Sequence, residues 1–306
     1  MKIAVIGAGA LGCIYASYLQ KNNEVLLVDV NDEHVDAINN IGLRFIDYQG
    51  VPKIYNNLKA TTDTSNYEPA DIIILLTKCY QIDDALNRNK SLISESTILV
   101  TLQSGYGFVD DILEHISEER LVLGISDSSA NIFAPGYVKQ KGSGKTVIGC
   151  LSENQDNAYT IKEIFEESEI PQVIVNENIK TTIFEKLFAI IGINPICALI
   201  DDNNRAIVDN NFARYSSKML VKEAVEIINA SGMKFDFNEI MEHCLNVAEI
   251  NGGALCTMLS DLRNKRRTEV DYFNGVIVCE AEKLGIKAPL NEMVTNIIHA
   301  KEEAFK

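Results

Sequence analysis

The residues best suited to chemistry in this 306-residue chain fall in two places. The first is the run Ile3-Ala4-Val5-Ile6-Gly7-Ala8-Gly9-Ala10-Leu11-Gly12. A GxGxxG pattern alone is weak. Here a strand-like run precedes it, a helical pattern follows, and a second strand-like run, Val25–Asp29, ends in an acid. Gly7 permits the tight turn, Gly9 lets the backbone approach a pyrophosphate, and Gly12 lets the helix pack on the strand. The helix start offers unpaired N–H groups and positive potential to an anion. The chemistry implied is dinucleotide binding by the backbone of Gly7, Ala8, Gly9, Ala10, Leu11 and Gly12. Asp29 follows about twenty residues on, where a carboxylate accepts hydrogen bonds from the adenosine ribose and repels a 2′-phosphate. Val30-Asn31-Asp32 supplies no lysine or arginine to hold such a phosphate, so NAD is favoured, with NADP as the alternative. The alternative is that Asp29 merely caps the next helix, and it could do both.

The second place is Ile183-Phe184-Glu185-Lys186-Leu187-Phe188-Ala189-Ile190-Ile191-Gly192-Ile193-Asn194-Pro195. Lys186, Ile190 and Asn194 recur at i, i+4 and i+8, near one face of a helix. Lysine and asparagine on an otherwise apolar helix are costly unless satisfied. A buried lysine of lowered pKa can serve as a general acid; the alternative is a structural pair with Glu185 or Glu269. The basic run Arg263–Arg267 reads either as a surface patch or as charge directed at cofactor phosphates. Cys256 reads better as a small core residue than as a nucleophile. Seven scattered cysteines and four histidines show no metal-ligand spacing, so no metal site is expected.

These groups need elements to carry them. Lys2–Ile6, Val25–Asp29, Asp71–Thr77, Thr97–Leu102 and Leu121–Ile125 read as buried strands, with helices over Ala10–Lys21, Asp32–Ile41, Asp83–Ile93 and Val109–Ile116 between them. The alternation predicts an α/β fold with a Rossmann-type doubly wound parallel sheet. Val138–Gly149 reads as a hairpin turning at Gly142-Ser143-Gly144, and Gly144-Lys145-Thr146 fails as a phosphate loop because Lys139 stands where the first glycine belongs. After a short strand at Pro171–Val175 the pattern is helical: Ile179–Ile200, Ile207–Ala230, Asn238–Ile250, Thr268–Leu284 and Asn291–Glu303. The expected division is a dinucleotide-binding domain over 1–175 and an all-helical domain over 176–306. Helical second domains often pair, which leaves a homodimer open.

A net charge of −15 argues against a nucleic-acid partner, and it requires any site for anionic ligands to be locally positive. The first apolar run is too short for a secretory leader, and Ile183–Ile200 suits a buried helix better than a membrane span because it carries Glu185, Lys186 and Asn194-Pro195. An odd cysteine count without a leader points to reduced thiols in the cytoplasm.

The chain resembles the ketopantoate reductases (2-dehydropantoate 2-reductases) and relatives that reduce other 2-keto acids to D-2-hydroxy acids. The likeness spans essentially the whole length. It is carried by Gly7–Gly12, by Leu76-Thr77-Lys78-Cys79-Tyr80-Gln81, and by Lys186-Leu187 with Ile193-Asn194-Pro195. Asp261-Leu262-Arg263, Thr268-Glu269-Val270-Asp271-Tyr272 and Asn274-Gly275 complete it. The resemblance implies that Lys186 protonates the carbonyl oxygen of a small 2-keto acid. It implies that Asn194 and Asn204 hold the substrate and that Thr257 stands for a serine on its carboxylate. It puts Glu269 at the cofactor and substrate junction, Lys78 and Gln81 along the cofactor cleft, and Ala130 near the nicotinamide. Three positions depart from the family. Ser104 replaces an asparagine that bridges cofactor and substrate. Ile190 and Ala254 replace polar residues. An apolar pocket favours plain alkyl groups over hydroxylated ones. The expected activity is therefore reduction of a simple or branched 2-keto acid with NADH. The alternatives are NADPH-dependent 2-dehydropantoate reduction in pantothenate biosynthesis and a non-catalytic NADH sensor. A β-hydroxyacid dehydrogenase is poorly supported, with Gly124 alone where a glycine-rich substrate loop belongs.

Overall fold

The computed structural model describes residues 1–305. Its contacts divide the chain into two units: Met1–Gln103 with Phe108–Lys180, and Ser104–Gly107 with Thr181–Lys306. The division falls five residues beyond the expected boundary, and it assigns the short segment Ser104–Gly107 to the helical unit.

The first unit opens with β1 (Lys2–Ile6), α1 (Ala10–Leu19), β2 (Glu24–Val28) and α2 (Asp32–Ile41). There follow β3 (Leu43–Ile46), β4 (Pro52–Tyr55), β5 (Lys59–Thr61), β6 (Ile72–Leu75), α3 (Ile82–Arg88), β7 (Ile98–Thr101) and α4 (Val109–Leu113). It closes with β8 (Leu121–Ser126), β9 (Ser129–Ala134), β10 (Tyr137–Gly142), β11 (Thr146–Gly149), α5 (Asp156–Glu167) and β12 (Val173–Val175). Eight strands form one sheet in the order β12-β11-β8-β7-β6-β1-β2-β5. It is parallel from β5 to β8, and β11 then pairs antiparallel to β8. The central strands have no solvent face: Ile72, Ile73, Ile74 and Leu75 are all fully buried. This is why they read as continuous apolar runs rather than alternating ones.

The hairpin expected at Val138–Gly149 does not form. β10 pairs with β9 and β3 in a second sheet, β4-β3-β10-β9, while β11 joins β8 in the first. Gly142-Ser143-Gly144 is thus a passage between sheets, and the antiparallel turn lies earlier, at Pro135-Gly136. α1 contacts strands of both sheets, which explains why it is buried almost all round and lacks a polar stripe. The strands β3, β4, β5 and β9 escaped the sequence reading: the first three are short, and β9 is exposed or half-exposed along its whole length.

The second unit is helical: α6 (Ile179–Ile200, begun in the first unit), α7 (Ala206–Asp209), α8 (Asn211–Ala230), α9 (Phe237–Ile250), α10 (Thr257–Arg263), α11 (Asn274–Leu284) and α12 (Pro289–Glu303). α6 is long and apolar enough to cross a membrane, but 72% of its most apolar window is buried within the protein. Its Leu187, Phe188, Ile191 and Cys197 pack with Val221 and Ala224 of α8, Cys244 of α9 and Ile277 of α11. Each such fully buried large apolar side chain contributes roughly 1.5–3 kcal/mol. The helix expected over Ile207–Ala230 breaks at Asn210, whose side chain accepts from the N–H groups of Phe212 and Ala213 at 2.9 and 3.2 Å and so starts α8 afresh. The one expected over Thr268–Leu284 is a 3₁₀ turn, Val270–Tyr272, followed by α11.

Candidate active site

In the first unit the order of β6, β1 and β2 makes a crossover point at the carboxyl ends of β1 and β6. The glycine loop occupies one side of it. Gly7 has φ +100°, and a Cβ there would lie 2.7 Å from the Leu76 carbonyl carbon, so the loops after β1 and β6 abut. A Cβ on Gly12 would lie 2.0 Å from the Gly7 carbonyl oxygen, whereas one on Gly9 would meet nothing within 4 Å. α1 makes its first helical bond from Cys13 N–H to the Gly9 carbonyl, leaving the N–H groups of Ala10, Leu11 and Gly12 without a partner inside the helix. An open approach at Gly9 beside a helix start fits a pyrophosphate.

Asp29 lies just past the end of β2 and lines a cleft of about 200 Å³ with Ala8, Asn31, His34, Ile132, Phe133, Ala134 and Pro135. The cap of α2 is Asn31, whose Oδ1 accepts from His34 N–H at 3.0 Å. Asp29 instead accepts from Asn31 N–H at 3.0 Å with one oxygen. His34 was missed in the sequence because a lone histidine carries no local signal. Its Nδ1 accepts from Gly136 N–H at 3.1 Å, which puts the neutral ring's proton on Nε2, 3.7 Å from Cys13 Sγ; that thiol in turn reaches the Ala8 carbonyl at 3.2 Å. Burial lowers the His34 pKa, so the cleft gains no cation from it at neutral pH. Gln103, also missed, accepts from Thr101 Oγ1 and donates to the Thr77 carbonyl, both at 2.6 Å, and so fixes the turn that leads to Lys78. Lys78 is half-buried ahead of the 3₁₀ turn Cys79–Gln81; Gln81 is exposed, and Ala130 is half-buried on β9.

In the second unit Asn194 Nδ2 donates to Thr257 Oγ1 at 3.2 Å, joining two residues 63 apart in the chain. Cys256 organises the same corner: its thiol reaches the Asn194 carbonyl at 3.5 Å, and its sulfur accepts from Leu259 N–H at 3.4 Å as the cap of α10. Burial pushes the Cys256 thiol up to about 11, which removes it as a nucleophile at neutral pH. Asn204 donates from its backbone to the Ala254 carbonyl at 3.1 Å and from Nδ2 to the Asn251 carbonyl at 3.3 Å. It staples the turn before Thr257, while its buried Oδ1 has no hydrogen-bond partner among the described residues. Ile190 is half-buried on α6 and Ala254 is exposed beside this corner.

The segment Ser104–Gly107 joins this unit through two contacts. Tyr106 N–H donates to the Tyr272 carbonyl at 3.1 Å, and the Tyr106 ring sits 5.0 Å from that of Phe184. Phe184 lies two residues before Lys186, and Tyr272 three after Glu269. The half-buried Ser104, Lys186 and Glu269 therefore stand on adjoining segments. Lys186 and Asn194, eight residues apart on α6, are separated by about 12 Å along the helix axis.

Two family models match the chain: Ketopantoate reductase PanE/ApbA over residues 3–153, and Ketopantoate reductase PanE/ApbA C terminal over residues 178–302. The 2-dehydropantoate 2-reductase of Pyrococcus horikoshii is 34% identical over 99% of this chain and 98% of its own length. That of Lactococcus lactis is 31% identical over 100% of this chain and 99% of its own. Among solved structures, a D-mandelate dehydrogenase with NADH and anilino(oxo)acetate is 30% identical, covers 100% of this chain and 99% of its own, and superposes with a TM-score of 0.94.

Proposed function

The chain belongs to the ketopantoate reductase family and is an oxidoreductase, and from that premise we propose that it reduces a simple or branched 2-keto acid to the D-2-hydroxy acid with NADH. The observation that carries the reading is the composition of its two binding corners. The cleft beside Asp29 contains no lysine or arginine among its lining residues, which supports NADH over NADPH. The Asn194–Thr257 corner is flanked by Ile190 and Ala254, which supports an alkyl or aryl substituent over a hydroxylated one. The likeness to a D-mandelate dehydrogenase bound to NADH and anilino(oxo)acetate lends weight to both.

The roles follow from the groups available. Residues 7–12 would hold the pyrophosphate and Asp29 the ribose hydroxyls, with Lys78 and Gln81 lining the rest; when bound, the nicotinamide supplies a hydride. Thr257 and Asn194 orient the substrate carboxylate and carbonyl, and Asn204 supports them through the 251–254 turn. Lys186 holds a proton at Nζ and delivers it to the carbonyl oxygen as negative charge develops there. Glu269 and Ser104 complete the junction. The seven cysteines, all free thiols, support a reducing cytoplasmic setting.

The test is oxidation of NADH and of NADPH against ketopantoate, 2-ketoisovalerate, 2-ketoisocaproate and phenylglyoxylate. We expect the highest kcat/KM with NADH and one of the last three, exceeding NADPH with ketopantoate by about tenfold or more, since a buried group left without its hydrogen bond costs roughly 1–3 kcal/mol. The second reading, an NADPH-dependent 2-dehydropantoate reductase, is favoured by the names of the curated relatives, and the opposite preference would establish it. Tight NADH binding with no turnover would indicate a sensor.

Asp29 gives a sharper cofactor prediction. Asp29→Ala should weaken NADH binding by roughly 10–100-fold, the loss of hydrogen bonds to a charged acceptor, and should improve NADPH binding by removing repulsion. Equilibrium fluorescence titration of both cofactors checks this; unchanged NADH affinity would remove Asp29 from the site.

A further inference from the structure

The segment Thr268–Tyr272, with Glu269 inside it, is tied to α12 at both ends. Thr268 N–H donates to Glu302 Oε1 at 2.6 Å. At the other end, Asp271 Oδ1 lies 2.8 Å from His299 Nε2, and Asp271 Oδ2 accepts from Arg267 at 3.1 Å. His299 Nδ1 is in turn 2.9 Å from Glu302 Oε2, so a chain of contacts runs Thr268–Glu302–His299–Asp271–Arg267. Both ring nitrogens face carboxylate oxygens. A neutral imidazole donates from only one nitrogen, so this arrangement calls for the imidazolium. Burial would lower the His299 pKa, but its hydrogen bonds to Glu302 and Asp271 and their charges outweigh that and leave it raised above the ordinary value.

The clamp extends further. The carbonyl of Tyr272, next to Asp271, receives Tyr106 N–H at 3.1 Å. A Cβ on Gly105 would lie 2.8 Å from that same carbonyl oxygen, so the Ser104–Gly107 backbone is seated directly against Tyr272. The position of Asp271 therefore governs both the backbone that carries Glu269 and the seat of the segment that carries Ser104.

We propose that His299 is a positioning residue: as a doubly hydrogen-bonded bridge between Glu302 and Asp271 it holds Thr268–Tyr272, and with it Glu269, in place against the Ser104–Gly107 segment. The proposal rests on the reading of Glu269 and Ser104 given above. His299 acts through the segment, and a small displacement of positioned groups costs on the order of a hundredfold in rate.

The test compares wild type, His299→Ala and His299→Arg as full-length folded proteins, with active molecules counted by NADH titration. For His299→Ala we expect kcat per folded molecule to fall about 10–100-fold, whatever the accompanying loss in thermal midpoint. Hydrogen exchange at the amides of Thr268, Tyr272 and Tyr106 should speed up about tenfold or more, while amides in β1 and α9 stay as they were. His299→Arg, which keeps a cation able to donate to both carboxylates, should recover kcat to within about threefold and restore the slow exchange. A merely structural histidine would lower the thermal midpoint and leave kcat per folded molecule unchanged. That result, or unchanged exchange at the three amides, overturns the proposal. If wild type reduces no 2-keto acid at all, the reading of the site fails, and the exchange data alone then decide whether the clamp exists.

Discussion

Lys186→Ala should lower kcat for keto-acid reduction by roughly 10²–10⁴, the range for loss of a positioned proton donor, while NADH affinity stays within about threefold. Carbonyl reduction places negative charge on oxygen, and without a proton donor that charge is stabilised only by the remaining polar groups. The geometry makes Lys186 the best placed candidate. It is half-buried on α6, two residues beyond the Phe184 that seats Tyr106, and about two turns from the Asn194–Thr257 pair. Lys186→Arg separates charge from proton transfer: it keeps a cation, but guanidinium parts with a proton far less readily. It should therefore bind substrate nearly as well as wild type and remain slow. Steady-state kinetics with a branched 2-keto acid, alongside NADH titration, distinguish these outcomes. More than a tenth of wild-type kcat in Lys186→Ala would assign the proton to another group.

Gly9 and Gly12 should fail in different ways when each is replaced by alanine. A methyl on Gly12 would stand 2.0 Å from the Gly7 carbonyl oxygen and 3.3 Å from Val5 Cγ1, in a buried position where the obstacle is backbone. The helix or the loop has to move, so Gly12→Ala should lose roughly 1–3 kcal/mol of stability and, because the same movement displaces the α1 start, more than tenfold in NADH affinity. A methyl on Gly9 meets nothing within 4 Å, and the residue has φ −63°, which alanine adopts freely. Gly9→Ala should therefore melt like wild type, within about 0.5 kcal/mol, yet occupy the space through which a pyrophosphate would reach the helix N-terminus. We expect it also to lose at least about tenfold in NADH affinity. Thermal unfolding and cofactor titration of both variants check the pair. Normal NADH binding by Gly9→Ala would show that the phosphates lie elsewhere.

Much of this architecture was legible in the residues because its signals are local. A glycine fingerprint acts within one turn, so Gly7, Gly9 and Gly12 by themselves signal a strand–turn–helix. The buried strands β1, β2, β6, β7 and β8 showed as unbroken apolar runs because each is covered on both faces. α6 matched its expected bounds, Ile179–Ile200, even with Gly192 and Pro195 inside it, because a long, mostly buried apolar stretch has few other options. Boundaries slipped where a side chain decided them. Asn210 restarts a helix by capping α8, and neither periodicity nor propensity weighs a single cap against a run of good helix formers.

Pairing partners were another matter. Val138–Gly149 has the composition of a hairpin, yet β10 joins β3, which lies about ninety residues earlier, in a separate sheet. Strand propensity reports fitness for a pleated surface and says nothing of which edge will be met. The same limit hid how the candidate site is put together. Spacing put Lys186 and Asn194 on one helix, but only the fold set Thr257 against Asn194, tied Asn204 to the turn at 251–254, and assigned Ser104–Gly107 to the helical unit. His34 and His299 carried no signal at all, since an isolated histidine acquires meaning from partners distant in sequence: Gly136 for one, Asp271 for the other. The sequence by itself determined the elements and the dinucleotide loop, because those depend on neighbours within a turn or two of chain. The tertiary structure decided which loops meet and which side chains hold them, because those contacts join residues tens of positions apart and exist only once the core has brought the segments together.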